Sequence, residues 1–598
     1  MKQHIALLAC LSLMPASAIA FEYRIDGNGL DSDLLGELRA VSLAAPMAAD
    51  DSLATAQDVV AAAQADYARL VGLFYDRGYF APVVSIRVNG REASEISPFA
   101  APAQIDGVVV SVESGPVFTF GTARIAPLAP ETEVPPGFAS GVTATTGAMR
   151  DAATAGVEGW RNQGHALAAL DGQQITARHG ADVIDAELRI APGERLRFGD
   201  LVVEGENRMR VERIRAIAGL PANEVFDPEE LDRVAARLRR SGAFDVVSIE
   251  EAEAAEADGT LDITARIVES KRRRLGFGAE LSTQTGLTLS TYWLHRNLLG
   301  GGERLRIEGE ISELGSEESE EEYSLTVSFG RPATFYTDLD FYATAELSRE
   351  RVSDLTIDVF DLESGFTYYA TDKREYSLGL SYEAANVTDE TDGSESSYQL
   401  FGIPATALFD YRNNTLNPTD GYYGELEIMP FIGLSGVDNG VLSTLDARAY
   451  KSFGANERVT LAARAQVGSL AGPDLTSAPA NYLFYSGGGG TVRGQEFESL
   501  GVELDNGDTV GGRSFLGLST EVRVKTGKSL SVVGFYDLGY VGSESFPDGE
   551  SGDWHAGVGL GVRYDTGVGP IRFDVAVPVD REDDQDAYQI YIGIGQAF

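Results

Sequence analysis

"AYQIYIGIGQAF", Ala587 to Phe598, is the stretch on which the fold turns. Tyr588, Ile590, Ile592, Ile594 and Phe598 fall on one face of an extended strand, and Gln589, Gly593, Gly595 and Ala597 fall on the other. Lipid on one side and a polar lumen on the other demand this pattern, which a half-buried strand of a soluble sandwich shares. Working outward, "PIRFDVAVPV", "GVGLGVRYD", "SVVGFYDLGYV" and "SFLGLSTEVRV" repeat it, with charged residues on the inward parity each time. The connections alternate too: "TGK" and "DTGVGP" are short, whereas "GSESFPDGESGD" and "DREDDQD" are longer and acidic. Short turns at one membrane face and long loops at the other give that alternation, and the last strand then descends to a periplasmic end. Residues 469–512 consequently fall on the outer side. The roughly 330 residues after Ser270 accommodate about 16 antiparallel strands at ~20 residues per strand and connection.

The opposite end of the chain sets the compartment. Lys2 precedes the apolar run from Ile5 to Met14, and Ala18-Ile19-Ala20 forms a small-residue cleavage pattern, so residues 1–20 read as a signal peptide and the mature chain as starting at Phe21. "LLAC" resembles a lipoprotein box, but cleavage there leaves too short an apolar core. The one cysteine, Cys10, lies inside this leader, which excludes disulfides and cysteine-ligated metal from the mature chain. Beyond the leader no apolar run approaches the ~20 residues of a spanning helix, so a membrane role requires a closed barrel. A net charge of −43 opposes nucleic-acid binding. So much acid serves solubility and solvated loops, as at "SEESEEE" and "TDETDGSESS".

Before Ser270 the composition changes and the sequence repeats. "LFYDRGYFAPVVSIRV", "WRNQGHALAALDGQQITARH" and "LRRSGAFDVVSIEE" each show a helix end, a glycine and then a strand, with Gly78, Gly164 and Gly242 as the helix stops. Each unit closes on a second strand that runs into a basic or glycine-bearing turn: "VVVSVESGPVFTFG", "AELRIAPGERLRFG" and "LDITARIVESKRRRLGFG". Three small α+β units fit, over 21–116, 117–196 and 197–270, before an all-β region over 271–598.

A glycine-flanked arginine stands out within that region: "SGGGGTVRGQEFESLG", Ser486 to Gly501. A phosphate-cradling loop would need Gly-Lys-Ser/Thr and a following helix, and neither is there. There is no G-x-S-x-G and no H-E-x-x-H, and the histidines are widely separated, so no catalytic residue, metal ligand or cofactor site is expected and the chain does not read as an enzyme.

The N-terminal units resemble polypeptide-transport-associated (POTRA) domains, most closely at 201–250. "TVRGQEF" resembles the V-R-G-F/Y tip of the sixth loop of the Omp85 superfamily of outer-membrane assembly and secretion barrels. "HRNLLGGGERL" in the strand-one region, "DYRNNTLNPTDGYY", "GFYDLG", "GVGLGVRYDTGVGPIRFDVAVP" and Phe598 match in order. The resemblance implies that the loop folds into the lumen, where Val492, Arg493 and Gly494 form its tip. Parity makes Asp537 and Glu521 the inward carboxylates for Arg493, and a buried guanidinium needs such partners. Gly488 to Gly490 and Gly494 let the backbone bend and approach the wall. Gln495 departs from the family, where an aromatic is usual.

The resemblance also implies a function. The superfamily's core assembly barrel usually carries five periplasmic domains, and two-partner secretion pores carry two behind a plug helix. Three units starting near Phe21 favour the type of the translocation and assembly module subunit, TamA. The implied protein is a non-enzymatic factor in the cell outer membrane with its N-terminal domains in the periplasm. It would insert unfolded outer-membrane clients, autotransporters among them, in contact with outer-membrane lipid and with a TamB-like periplasm-spanning partner. A seam between a first strand around 275–284 and the last, 588–598, would template incoming strands, with Leu275, Gly278, Gly593, Gly595 and Phe598 along it. The alternatives are a two-partner-secretion-type pore, a passive channel or a structural surface antigen.

Overall fold

The computed structural model describes residues 21–27, 29–49, 54–282, 286–314, 321–352, 355–454, 457–504, 509–527, 529–567, 569–579 and 587–598. The leader over 1–20, the acidic stretches 316–320 and 580–586, Lys528, and Gln284 of the expected first strand lie outside the described residues.

Three α+β units come first. The helix Ala56–Asp76 starts at a capping box, in which Thr55 accepts from the Asp58 backbone and Asp58 answers the Thr55 backbone. Its face of Val59, Val60, Ala63, Leu70 and Phe74 is fully buried with Ile86, Val88, Val108 and Val110 of the strands Val83–Val88 and Gly107–Glu113. Each such side chain contributes roughly 1.5–3 kcal/mol. The helix ends before Gly78 at φ 87°, and Gly164 and Gly242 are left-handed as well, at φ 93° and 66°. The second unit pairs strands Thr119–Ala126, Val183–Ala191 and Ala169–Arg178 in that order, beside the helix Thr146–Arg161. The third orders Arg197–Glu204, Thr260–Glu269 and Phe244–Glu251, with helices Val211–Ala218 and Pro228–Arg240.

From Arg273 onward the described residues form one antiparallel sheet of seventeen segments, with a separate short ladder between Val502–Glu503 and Thr509–Val510. Two of them, Glu395–Gly402 and Ala405–Asp410, both pair with Arg374–Asp389 and with Gly421–Ser435, so they are halves of a single strand and the sheet has sixteen positions. The break falls at Ile403-Pro404, where proline has no N–H to give the ladder. Side chains alternate as the sequence pattern requires: on Ser514–Lys525, Leu518 and Val522 face outward, whereas Glu521 and Arg523 are buried.

Two expectations need correction. "HRNLLGGGERL" is not in the first strand, which is Arg273–Ser282; it forms the turn between Gly286–His295 and Arg304–Leu314. Phe598 does not share the outward face of Ile592 and Ile594. The last strand, Gln589–Ile594, stops short of it, Gly595 turns left-handed at φ 95°, and Phe598 is buried beside Tyr450 and Ala462. The apolar alternation continues in the sequence past the point where the ladder ends, so parity misplaces this residue.

Candidate functional site

The connection between strands Val459–Ala471 and Ser514–Lys525 is the long one, and it turns back along the inner face of the sheet. Its descending limb is pinned at Glu383, which accepts from Tyr398 Oη at 2.5 Å, Tyr482 Oη at 2.8 Å and Asn481 Nδ2 at 3.2 Å. Backbone bridges Phe484–Gly512 and Ser486–Leu500 bring the two limbs together. His555 Nε2 lies 2.7 Å from Ser486 Oγ, and Arg464 Nη1 donates to the Gly490 carbonyl at 2.8 Å.

The tip is almost dry: Val492 is fully buried and Arg493 is 2% exposed. Arg493 Nε donates to Asp537 Oδ2 at 2.7 Å, Nη2 to Asp537 Oδ1 at 3.0 Å, and Nη1 to Glu521 Oε1 at 2.7 Å. The fork thus grips Asp537 bidentately and reaches Glu521 with its free arm. The Phe535 ring lies under the guanidinium, 3.6 Å from its carbon to the ring centroid.

The cluster extends beyond the expected pair. Asp574 Oδ2 lies 3.5 Å from Arg493 Nη1, and Asp574 also pairs with Arg563. Glu521 Oε2 accepts from Arg523 Nε at 2.8 Å. Three carboxylates are thus met by Arg493, Arg523 and Arg563, each at most 6% exposed, and Arg572, 19% exposed, adds a fourth guanidinium 3.9 Å from Asp574 Oδ2. Buried charge is tolerated only when paired and hydrogen-bonded in this way. Asp574, Arg563 and Arg523 share the inward parity noted from the sequence, but parity gives a side chain's face and not its height in the wall.

Glycines on both surfaces make the approach possible. Gly487, Gly488 and Gly494 have φ of 120°, 87° and 99°, while Gly490 sits in open space and is not sterically required. On the wall, a Cβ on Gly557 would lie 1.8 Å from the Arg493 carbonyl oxygen. Gln495 is 1% exposed and donates to the Ala556 carbonyl at 2.9 Å. Tyr591 Oη of the last strand accepts from Gly494 N at 3.0 Å.

Of the expected seam residues, Phe598 meets this cluster through Arg523, whereas Leu275 and Gly278 lie apart from it on the first strand. Leu275 is 59% exposed on the outward face of the first strand. Gly278 sits where a Cβ would meet Ser290 Oγ, and Gly593 where one would approach Arg572. Among the described residues no ladder joins Arg273–Ser282 to Gln589–Ile594. The end of the last strand is held from inside instead: Gln596 donates to the Leu416 carbonyl and to Asn417 Oδ1, and Arg523 Nη2 donates to the Phe598 carbonyl at 3.3 Å.

A sixteen-position sheet with lipid-facing and lumen-facing sides, an inward-folded arginine loop and α+β units ahead of it defines a class of outer-membrane barrel. A family model described as the Omp85 superfamily domain matches residues 297–598, and one described as POTRA, surface antigen variable number repeat, matches 196–270. The chain belongs to the Omp85 superfamily, and it is an outer-membrane barrel protein with a POTRA domain, over 196–270, in the periplasm. It is 23% identical over 458 residues to the outer membrane protein assembly factor BamA of Nitratidesulfovibrio vulgaris, covering 73% of this chain and 56% of the relative. The BamA of Neisseria meningitidis serogroup B is 23% identical over 467 residues, covering 69% and 58%. The chain thus spans less than two thirds of the length of these curated relatives. In fold it is similar to the BamA of Haemophilus ducreyi lacking POTRA domains 1-3, with a TM-score of 0.60 and 16% identity over 79% of this chain and 99% of that one. It is also similar to CdiB from Acinetobacter baumannii, with a TM-score of 0.50 and 13% identity over 80% and 89%.

Proposed function

We propose that the protein is a non-enzymatic factor that inserts other outer-membrane proteins, templating their strands at a seam between the first and last strands of its own sheet. The observation that carries this reading is the short last strand, Gln589–Ile594, of six residues, in a barrel of the Omp85 superfamily: so short a strand can close the wall with few pairs only. Unpaired backbone N–H and C=O groups in lipid cost several kcal/mol each, so a seam that opens there takes up a partner strand. An incoming chain that adds to it satisfies those groups by β-augmentation, and lipid burial of its apolar face completes the step without a nucleotide. Leu275, Gly278, Gly593 and Gly595 would line that seam, and the arginine loop would hold the wall open from within.

The finer reading is the TamA type, with autotransporters among the clients and a TamB-like partner reaching the periplasmic units; it rests on the resemblance noted in the sequence. Depletion of the protein followed by an outer-membrane proteome tests this. Loss of autotransporters with the core barrels unchanged is expected; loss of every barrel would point to the core role, and no loss would overturn the assembly reading.

A further inference from the structure

In a chain with 91 acidic and 48 basic residues, Lys271, Arg272, Arg273 and Arg274 follow one another at the entry to the first barrel strand. All four are exposed, and among the described residues no carboxylate is bridged to any of them. A fifth cation is fastened to the run: Arg296 N donates to the Arg272 carbonyl at 2.8 Å, and Arg296 Nη1 to the Lys271 carbonyl at 3.0 Å. Arg272 and Arg296 line one small cleft together with Arg208 and Asn297. The carboxylate at that cleft, Glu269, is engaged by the backbone N–H groups of Asn207, Arg208 and Met209 at 2.8 to 2.9 Å.

The surroundings say which medium these cations meet. Arg273 shares the parity of Leu275 and Phe277, which are 59% and 79% exposed on the lipid-facing side. Arg274 has the opposite parity and lies 5.9 Å from the Tyr292 ring, so it belongs to the lumen. The neighbouring turns on the same rim expose Leu299, Phe335 and Tyr336, at 65%, 81% and 74%. Cations beside exposed aliphatic and aromatic side chains, continuous with a lipid-facing wall, form an interfacial surface.

The structure assigns to Lys271, Arg272, Arg273 and Arg296 a binding site for the phosphate headgroup of an anionic phospholipid in the periplasm-facing leaflet, beside the first strand. The exposed cations supply charge complementarity at the rim, and the acyl chains run up the wall past Phe277. An anionic lipid would thereby be concentrated at the sheet edge. This assignment rests on the outer-membrane placement and not on client handling.

The test uses the full chain in nanodiscs of phosphatidylcholine with a minor fraction of phosphatidylglycerol, one lipid brominated on its acyl chains at a time. Three tryptophans are present, and Trp554→Phe leaves Trp293, which pairs in register with Leu275, as the tryptophan of the barrel. Brominated phosphatidylglycerol is expected to quench Trp293 more strongly than brominated phosphatidylcholine at equal mole fraction. Arg272→Ser with Arg273→Ser should lower that preference at least about fivefold, since each cation near a charged membrane surface is worth about that factor. Lysine at both positions should keep most of it. Arg296→Ser alone is the second variant, should the double variant not fold. Equal quenching by the two lipids, or an unchanged preference in the serine variants, overturns the site. Loss of the preference in millimolar inorganic phosphate at constant ionic strength would assign the site to free anions and overturn the lipid assignment.

Discussion

Arg493 concentrates the chemistry of the lumen in one side chain. Its guanidinium is one of four, with those of Arg523, Arg563 and Arg572, that meet Glu521, Asp537 and Asp574, all at most 1% exposed. Arg493→Ala therefore strands Asp537 without its bidentate partner, a loss on the order of 3–5 kcal/mol in the docking of the loop. Limited proteolysis should then cut between Gly490 and Glu498, while heat-modifiable gel mobility reports a barrel still folded by its ladder. Arg493→Lys should restore protection in part, because an ammonium keeps the charge and loses the planar fork. A wild-type digestion pattern for Arg493→Ala would make the arginine ordinary loop surface. The wall offers an independent check: Gly557→Ala places a methyl against the Arg493 carbonyl and should expose the same segment with every charge intact. The pairing of Arg493 with Asp537 and Glu521 was legible because strand alternation gives a side chain's face. The contributions of Asp574, Arg563 and Arg523 were not, because they depend on stagger: Arg523 aligns with Val533 and Arg563 with Arg572 only once the register of every intervening strand is set.

At the scale of elements, the helices of the third periplasmic unit meet barrel turns through arginines. Arg237 from the helix Pro228–Arg240 donates to both oxygens of Asp338, Arg240 adds a bond at 2.9 Å, and Arg213 donates to the Pro332 carbonyl at 2.5 Å. Burial pushes the Asp338 carboxyl up, and the Arg237 and Arg240 hydrogen bonds and charges more than reverse it, leaving its pKa below the ordinary carboxylate value. A depressed folded-state pKa means that the stabilisation is complete above the unfolded value near ~3.9 and is lost as pH falls through the folded one. Asp338→Asn should thus loosen helix Pro228–Arg240 by about 1–2 kcal/mol at neutral pH, seen as faster hydrogen exchange than wild type. The difference between the two proteins should shrink in acid, and a pH-independent difference would refute the ion-pair account. These contacts were illegible beforehand, since "LRRSGAF" reads equally well as a solvated helix end. The helix stops were legible because Gly78, Gly164 and Gly242 recur at one place in a repeated pattern, whereas the break at Pro404 and the inward turn at Gly595 each occur once.

For the whole molecule, the uneven height of the wall matters most. Strands Leu339–Val352, Leu355–Thr371 and Arg374–Asp389 have 14, 17 and 16 residues, but Gln589–Ile594 has six, fewer than the ~9–11 that a tilted spanning strand needs. Its inner side is tied to the arginine loop through Tyr591 and its end to the rim through Gln596. If the seam between the first and last strands opens to template clients, locking it should abolish templating. Leu275, Phe277 and Ala279 on the first strand share a parity, as do Ile592 and Ile594 on the last, and the mature chain reads as cysteine-free. Cysteines placed at each of the three first-strand positions against Ile592→Cys should include one pair that oxidises efficiently, which fixes the register of closest approach. In that pair client assembly should fall at least about tenfold on oxidation and recover on reduction, as expected if templating by an added strand is the productive step. Full crosslinking with undiminished client assembly would show that clients do not enter at this edge, and the insertion mechanism would have to be sought in the lumen or at the periplasmic units.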